Sequence, residues 1–181
     1  AWWCGSFRST AGSEDVTMVH KKICMLGGFA VGKTSLVSRF VSSIFSDKYL
    51  STVGVKVDKK AVSVDGRDCT LMIWDVYGQD DFQSVQHSQI RGMAGYLLVV
   101  DGTRRATLDT AQKLHELALQ VVGEVPYIVV LNKADLAADW EIDDTAVFKL
   151  AERGGRVLRS SAKTGEGVEE AFQLLTRSML D

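Results

Sequence analysis

The chain has 181 residues, enough for one domain with a full hydrophobic core. Its formal net charge of −2 gives no broad attraction to nucleic acid or to an anionic membrane, so neither partner is indicated. No apolar run approaches the roughly 20 residues that a membrane-spanning helix needs. In chain order, residues 1–17 come first and carry no clear period. They are read as a flexible leader or cloning remnant outside the fold, with 18–181 as the single domain. Trp2, Trp3 and Phe7 leave open an arm that docks elsewhere. Val19–Leu26 is predicted to be a buried strand. Cys24 within it, and Cys69 further on, stand in apolar runs where a buried free thiol is the natural reading. With Cys4 they make neither a disulfide framework nor a zinc site, so a reducing cytosol is the expected compartment.

The stretch Gly27-Gly28-Phe29-Ala30-Val31-Gly32-Lys33-Thr34 fits G-x-x-x-x-G-K-[ST]. It lies between that strand and a helical pattern over Lys33–Ser43, the context a phosphate-binding loop (P-loop) needs. Backbone N–H groups of Gly28, Phe29, Ala30, Val31 and Gly32, and the helix start at Lys33, Thr34 and Ser35, would face a polyphosphate. Lys33 adds a positive charge beside the outer phosphates, and the Thr34 hydroxyl is a hard oxygen ligand for Mg²⁺. A Gly-rich turn with a surface lysine is the bland alternative. Phe29 is the irregular residue, bulky where the reacting phosphate would lie.

Val53–Val64 and Asp68–Asp75 are strand-like runs around the hairpin signal Asp65-Gly66. In the first, Val53, Val55 and Val57 face one way, Lys56 and Asp58 the other. Lys56, Lys59 and Lys60 are read as a solvated face. Asp75 closes the second run and leads into Val76-Tyr77-Gly78-Gln79. An aspartate there can hold Mg²⁺ through a water. Gly78 lets its N–H approach a terminal phosphate, and Gln79 is placed to orient an attacking water. Asp75–Gly92 is otherwise polar, a loop with a short helix.

Gly95–Asp101 is a continuous apolar strand, and Thr107–Val122 has helical spacing. Tyr127–Leu131 is another buried strand, followed by Asn132-Lys133-Ala134-Asp135. The Asp135 carboxylate can accept both N1–H and the exocyclic amine of guanine, a donor pair adenine lacks. Leaving such a group unpaired punishes the wrong base by about 10⁴–10⁵. The Lys133 stem can lie over the base. Asp143–Arg153 is predicted helical and stops at Gly154-Gly155. Arg156–Arg159 is a short strand. In Ser161-Ala162-Lys163, the Ala162 N–H would meet guanine O6. Val168–Leu180 is the last helix.

Apolar runs alternating with helices indicate the α/β class. The expected domain is a six-stranded, mostly parallel sheet with one antiparallel edge strand and helices on both faces. In such sheets the ligand sits beyond the carboxyl ends of the strands, where every polar motif above falls.

These motifs, in this order, resemble the small GTPases of the Ras superfamily, most closely the Rab branch, over roughly 19–180. Trp74-Asp75-Val76-Tyr77-Gly78-Gln79-Asp80-Asp81-Phe82 is similar to the Rab run W-D-T-A-G-Q-E-x-F, and Tyr49–Val55 to the segment around the first switch. The resemblance implies a single P-loop GTPase domain that binds GTP or GDP with Mg²⁺ and hydrolyses GTP. It places the switch threonine, a Mg²⁺ and γ-phosphate contact, on Thr52, and the aromatic beside guanine on Phe45. Lys33, Thr52 and Gln79 would then serve the reaction, with Thr34, Thr52 and, through water, Asp75 at the metal. Effector, exchange-factor and activating proteins would read residues about 44–54 and 76–92. Phe29 and Tyr77 depart from the family's small residues. A ring at Phe29 is expected to crowd Gln79 and slow hydrolysis, unless it tips away onto the second switch. The alternatives are a GTP-binding interaction module with little hydrolysis and a Roc-like domain of a larger regulator. No cysteine lies near the end of this sequence, so no prenylation signal and no direct membrane anchor are expected of this chain, unless a lipidated tail is missing from it.

Overall fold

A computed structural model describes residues 18–48, 54–76, 87–152 and 154–181. In chain order the elements are β1 (Val19–Leu26), α1 (Lys33–Ser42), β2 (Val55–Val64), β3 (Arg67–Val76), α2 (His87–Ile90), β4 (Gly95–Asp101) and α3 (Ala106–Val122). Then come β5 (Tyr127–Asn132), a 3₁₀ segment (Ala134–Asp139), α4 (Asp144–Ala151), β6 (Arg156–Arg159) and α5 (Val168–Leu180). Among the described residues the strands form one six-stranded sheet in the order β2-β3-β1-β4-β5-β6. Every pairing is parallel except β2 with β3. The mostly parallel sheet and its antiparallel edge therefore match the expectation from sequence.

The continuous apolar runs explain why β1, β4 and β5 are central. All seven residues of β4 are buried, and successive residues serve opposite cores. Leu98 and Val100 pack with Leu114 and Ala118 of α3 and Leu150 of α4. Leu97 and Val99 pack with Leu36 and Phe40 of α1 and Phe172 of α5. Period-two alternation thus feeds two hydrophobic layers from each central strand. α4 starts one residue later than its spacing suggested, because Asp143 acts as its cap, accepting from the Ala146 N–H at 2.7 Å. Cys24 and Cys69 are buried free thiols. No helix among the described residues is long and apolar enough to cross a membrane.

The edge strand carries the main correction. Val57 is 43% exposed, so the valine face of β2 looks outward at that point. The half-buried face runs through Asp58, Lys60 and Val62 instead. Lys60 is not part of a solvated face: its ammonium donates to the Phe40 carbonyl and lies 4.2 Å from the centre of the Phe40 ring. Lys56 pairs with Asp58 at 3.0 Å. α1 and α5 both lie against β2, and it is Lys60 and Val62 that meet the core containing Phe40 and Phe172.

Candidate functional site

A cavity of about 470 Å³ opens at the carboxyl ends of the strands, within the range of about 300–1,000 Å³ usual for ligand sites. Phe29, Ala30, Gly32, Lys33, Thr34 and Ser35 line one end, and Asn132, Lys133, Asp135, Ala162 and Lys163 the other. Phe45 lines it too. Four described residues named from sequence do not line it. Gly28 and Val31 belong to the loop behind the wall, Asp75 stands behind Thr34, and fully buried Ser161 supports Asp135. Thr52, Tyr77, Gly78 and Gln79 lie outside the described residues.

At the end lined by Gly32, Lys33, Thr34 and Ser35, α1 begins at Lys33 with no acidic residue in its own first turn, and the carboxylate nearest its start is Asp75, which Thr34 Oγ1 meets. Ala30 has φ +55, a left-handed turn that costs a non-glycine residue about 1–3 kcal/mol. Gly32 has φ +101, and a Cβ there would lie 2.2 Å from Asn132 Nδ2, so only glycine fits. The Lys33 ammonium donates to the carbonyls of Gly27 at 2.9 Å and Gly28 at 2.8 Å. Burial pulls its pKa down to about 8; nearby Asp75 opposes the shift and Arg104 adds to it. Thr34 Oγ1 donates to Asp75 Oδ2 at 2.5 Å. Burial raises the Asp75 pKa, against the Thr34 bond and the Lys33 charge. Among the described residues, buried Asp75 Oδ1 has no hydrogen-bond partner. An unsatisfied carboxylate oxygen beside a threonine hydroxyl is a donor set that suits a hard divalent cation and its water.

At the other end, Asn132 fastens the parts together. Its Nδ2 donates to the Val31 carbonyl at 2.9 Å, and its Oδ1 accepts from the Ala162 N–H at 3.2 Å and Ser160 Oγ at 3.3 Å. The Ala162 N–H, expected to meet guanine O6, is thus turned toward Asn132 in this structure. Ser161 Oγ donates to Asp135 Oδ1 at 2.5 Å and accepts from the Thr164 N–H at 3.1 Å, so the Asp135 carboxylate is held from behind.

Sequence reasoning missed three residues of this site. Arg39 on α1 donates to the carbonyls of Ala162 at 2.8 Å and Lys163 at 2.6 Å, and its guanidinium lies 5.9 Å from the Phe45 ring centre. It therefore ties the loop of Ala162 and Lys163 to Phe45. Asp101, at the end of β4, accepts from Lys133 Nζ at 2.6 Å and Arg104 Nε at 2.9 Å. Arg104 also donates to the Phe29 carbonyl at 2.7 Å. A charged residue closing a wholly apolar strand was the available signal for Asp101. Arg39 and Arg104 had none.

Comparison with known proteins bears on the chain's family. A model of the Ras family matches residues 22–181. The chain is similar to the Ras-related protein Rab-4 of Dictyostelium discoideum, 35% identical over 161 residues, 88% of this chain and 78% of that protein. It is similar to the Ras-related protein Rab-4A of Rattus norvegicus, 36% identical over 174 residues, 95% of this chain and 79% of that one. The Ras-related protein Rab-13 of Canis lupus familiaris is 32% identical over 161 residues, 88% and 79% of the two chains.

Proposed function

The chain belongs to the Ras family of small GTPases, and we propose that it is a slow two-state switch worked by its own phosphate loop and two switch segments. Binding of GTP and GDP with Mg²⁺, hydrolysis of GTP, and dealings with regulators and effectors come with the family. The residue roles and the slow turnover are our reading. Phe29–Thr34 would bind the phosphates, Asp135 and Lys133 the guanine, with Phe45 beside the ring. Thr34, Thr52 and, through water, Asp75 would hold Mg²⁺, which supplies positive charge against the charge that develops on the transferred phosphoryl group.

The single observation that carries the reading is Asn132, whose side chain bonds Val31 of the phosphate loop and Ala162 of the base loop. It makes phosphate and guanine sites two ends of one cavity. In the reaction, a water oriented by Gln79 attacks the γ-phosphorus. The bond from that phosphorus to the β–γ bridging oxygen breaks, giving GDP and phosphate. Thr52 and Gly78 would hold residues about 44–54 and 76–92 against the γ-phosphate and release them when it leaves.

The slow turnover is assigned to Phe29, which lines the cavity where a small residue would leave room for the water and Gln79. Single-turnover hydrolysis of GTP by the parent and by Phe29→Gly tests this. The glycine variant is expected to be faster by about tenfold or more, the scale of a displaced catalytic contact. Equal rates would remove the steric account. Tight GTP binding with near-zero turnover in both would favour a binding module over a GTPase switch.

A further inference from the structure

Arg104 lies in the short connection from β4 to α3, outside every motif that announces the site. Its side chain is 40% exposed, so it adds little to the core. Nevertheless, among the described residues, both polar contacts of its side chain go inward. Nε donates to Asp101 Oδ2 at 2.9 Å, and one terminal nitrogen donates to the Phe29 carbonyl at 2.7 Å. The same Asp101 oxygen accepts from Lys133 Nζ at 2.6 Å. The other accepts from the Thr103 N–H at 3.0 Å and the Thr103 hydroxyl at 2.7 Å. Four donors on one carboxylate whose side chain is fully buried come close to filling its capacity.

We propose that Arg104 is a positioning residue for bound nucleotide: through Asp101 it couples the main chain of Phe29 in the phosphate loop to the base-contacting Lys133. The inference rests on the nucleotide-site reading above and deepens it. A guanidinium suits the task because its planar fork presents separate, fixed donors to a carboxylate and a carbonyl at once. Holding the Phe29 carbonyl fixes the peptide that precedes Ala30, and so the aim of the N–H groups that face phosphate. Holding Lys133 by the same carboxylate means that loosening either end of the nucleotide disturbs the other. Arg104's charge is also felt at Lys33, where it lowers the ammonium pKa, which puts Arg104 within electrostatic reach of the phosphate end.

A purely structural role is separable. The start of α3 uses the Arg104 carbonyl, which accepts from the Thr107 N–H at 3.1 Å and the Thr107 hydroxyl at 2.7 Å. Replacing the side chain leaves those bonds in place. The test is release of a fluorescent N-methylanthraniloyl-GDP, followed by stopped flow, for the parent, Arg104→Ala, Lys133→Met and the double variant, with melting temperatures alongside. Arg104→Ala is expected to release the nucleotide about tenfold faster than the parent. The double variant is expected to fall well short of the product of the two single effects, because both act through Asp101. Stability loss alone would not make those effects interdependent. Release within twofold of the parent for Arg104→Ala, or effects that multiply, would overturn the proposal. If the alanine variant does not fold, Arg104→Gln, which keeps a donor amide without the charge, goes through the same cycle. A parent chain that fails to bind the fluorescent GDP would instead refute the nucleotide-site reading itself.

Discussion

Asp101 is fully buried and charged, a combination that costs free energy unless every oxygen is paired. Burial alone would raise its pKa. The bonds from Lys133, Arg104 and Thr103 outweigh that and hold the carboxyl below its ordinary value. The folded value lies below the unfolded one, near about 4. The contribution to stability is therefore complete above that unfolded value and lost as pH falls through the folded one. Asp101→Asn is expected to cost about 1–2 kcal/mol at pH 7, with the screening that half-exposed Lys133 and Arg104 allow. Thermal melts from pH 7 down to pH ~3 check the sign: the gap between parent and variant should narrow below pH ~4. A gap that stays constant into acid would mean that the carboxylate charge is not what stabilises. Arg39 and Arg104, unlike Asp101, show where sequence reading stops. Asn132, Lys133 and Asp135 announce themselves by spacing over a few positions. Arg39 meets Ala162 across 123 positions, and Arg104 meets Phe29 across 75, so neither role exists until the chain is folded.

At the scale of elements, alternation reveals a period but not which face is buried. Val55 and Val57 read as one face of alternating valines, yet α1 settles on the opposite side, that of Lys60 and Val62; Val53 lies outside the described residues. A central strand such as β4 is buried on both faces, and its unbroken apolar run could be assigned without that choice. The packing of α1 against α5 is equally silent in sequence, since each helix shows only that it has an apolar stripe. In the fold, Phe40 and Phe172 stack with centroids 3.9 Å apart and planes 2° from parallel. Both rings are buried, and the Lys60 ammonium also lies against the Phe40 ring. Phe172→Ala removes the partner ring and leaves a cavity between the two helices and the sheet. It is expected to cost about 3–5 kcal/mol in denaturant unfolding, with the slope m unchanged. A loss below about 1 kcal/mol would show that α5 closes onto α1 without the stack.

Across the whole molecule, the sheet makes stability and binding one problem. Two cores flank the six-stranded sheet among the described residues, and the cavity proposed to take the nucleotide is walled by residues at or just beyond the carboxyl ends of β1, β3, β5 and β6. A ligand there touches segments far apart in sequence, so it binds the folded chain and not the unfolded one. Mass action then adds about 2.7 kcal/mol at a ligand concentration one hundred times its dissociation constant. For a chain of this length each kilocalorie moves the melting temperature by about 2–4 °C. GDP with Mg²⁺ is therefore expected to raise it by about 5–11 °C at that saturation. Chelating the metal should remove part of the gain, because buried Asp75 Oδ1 lacks a hydrogen-bond partner among the described residues. ADP at the same concentration should give no shift, since adenine lacks the donor pair that Asp135 would accept. Differential scanning fluorimetry of the nucleotide-free chain separates these outcomes. Equal shifts with ADP and GDP would sink the assignment of guanine recognition to Asp135. A shift with GDP that ignores chelation would sink the metal role given to Thr34 and Asp75.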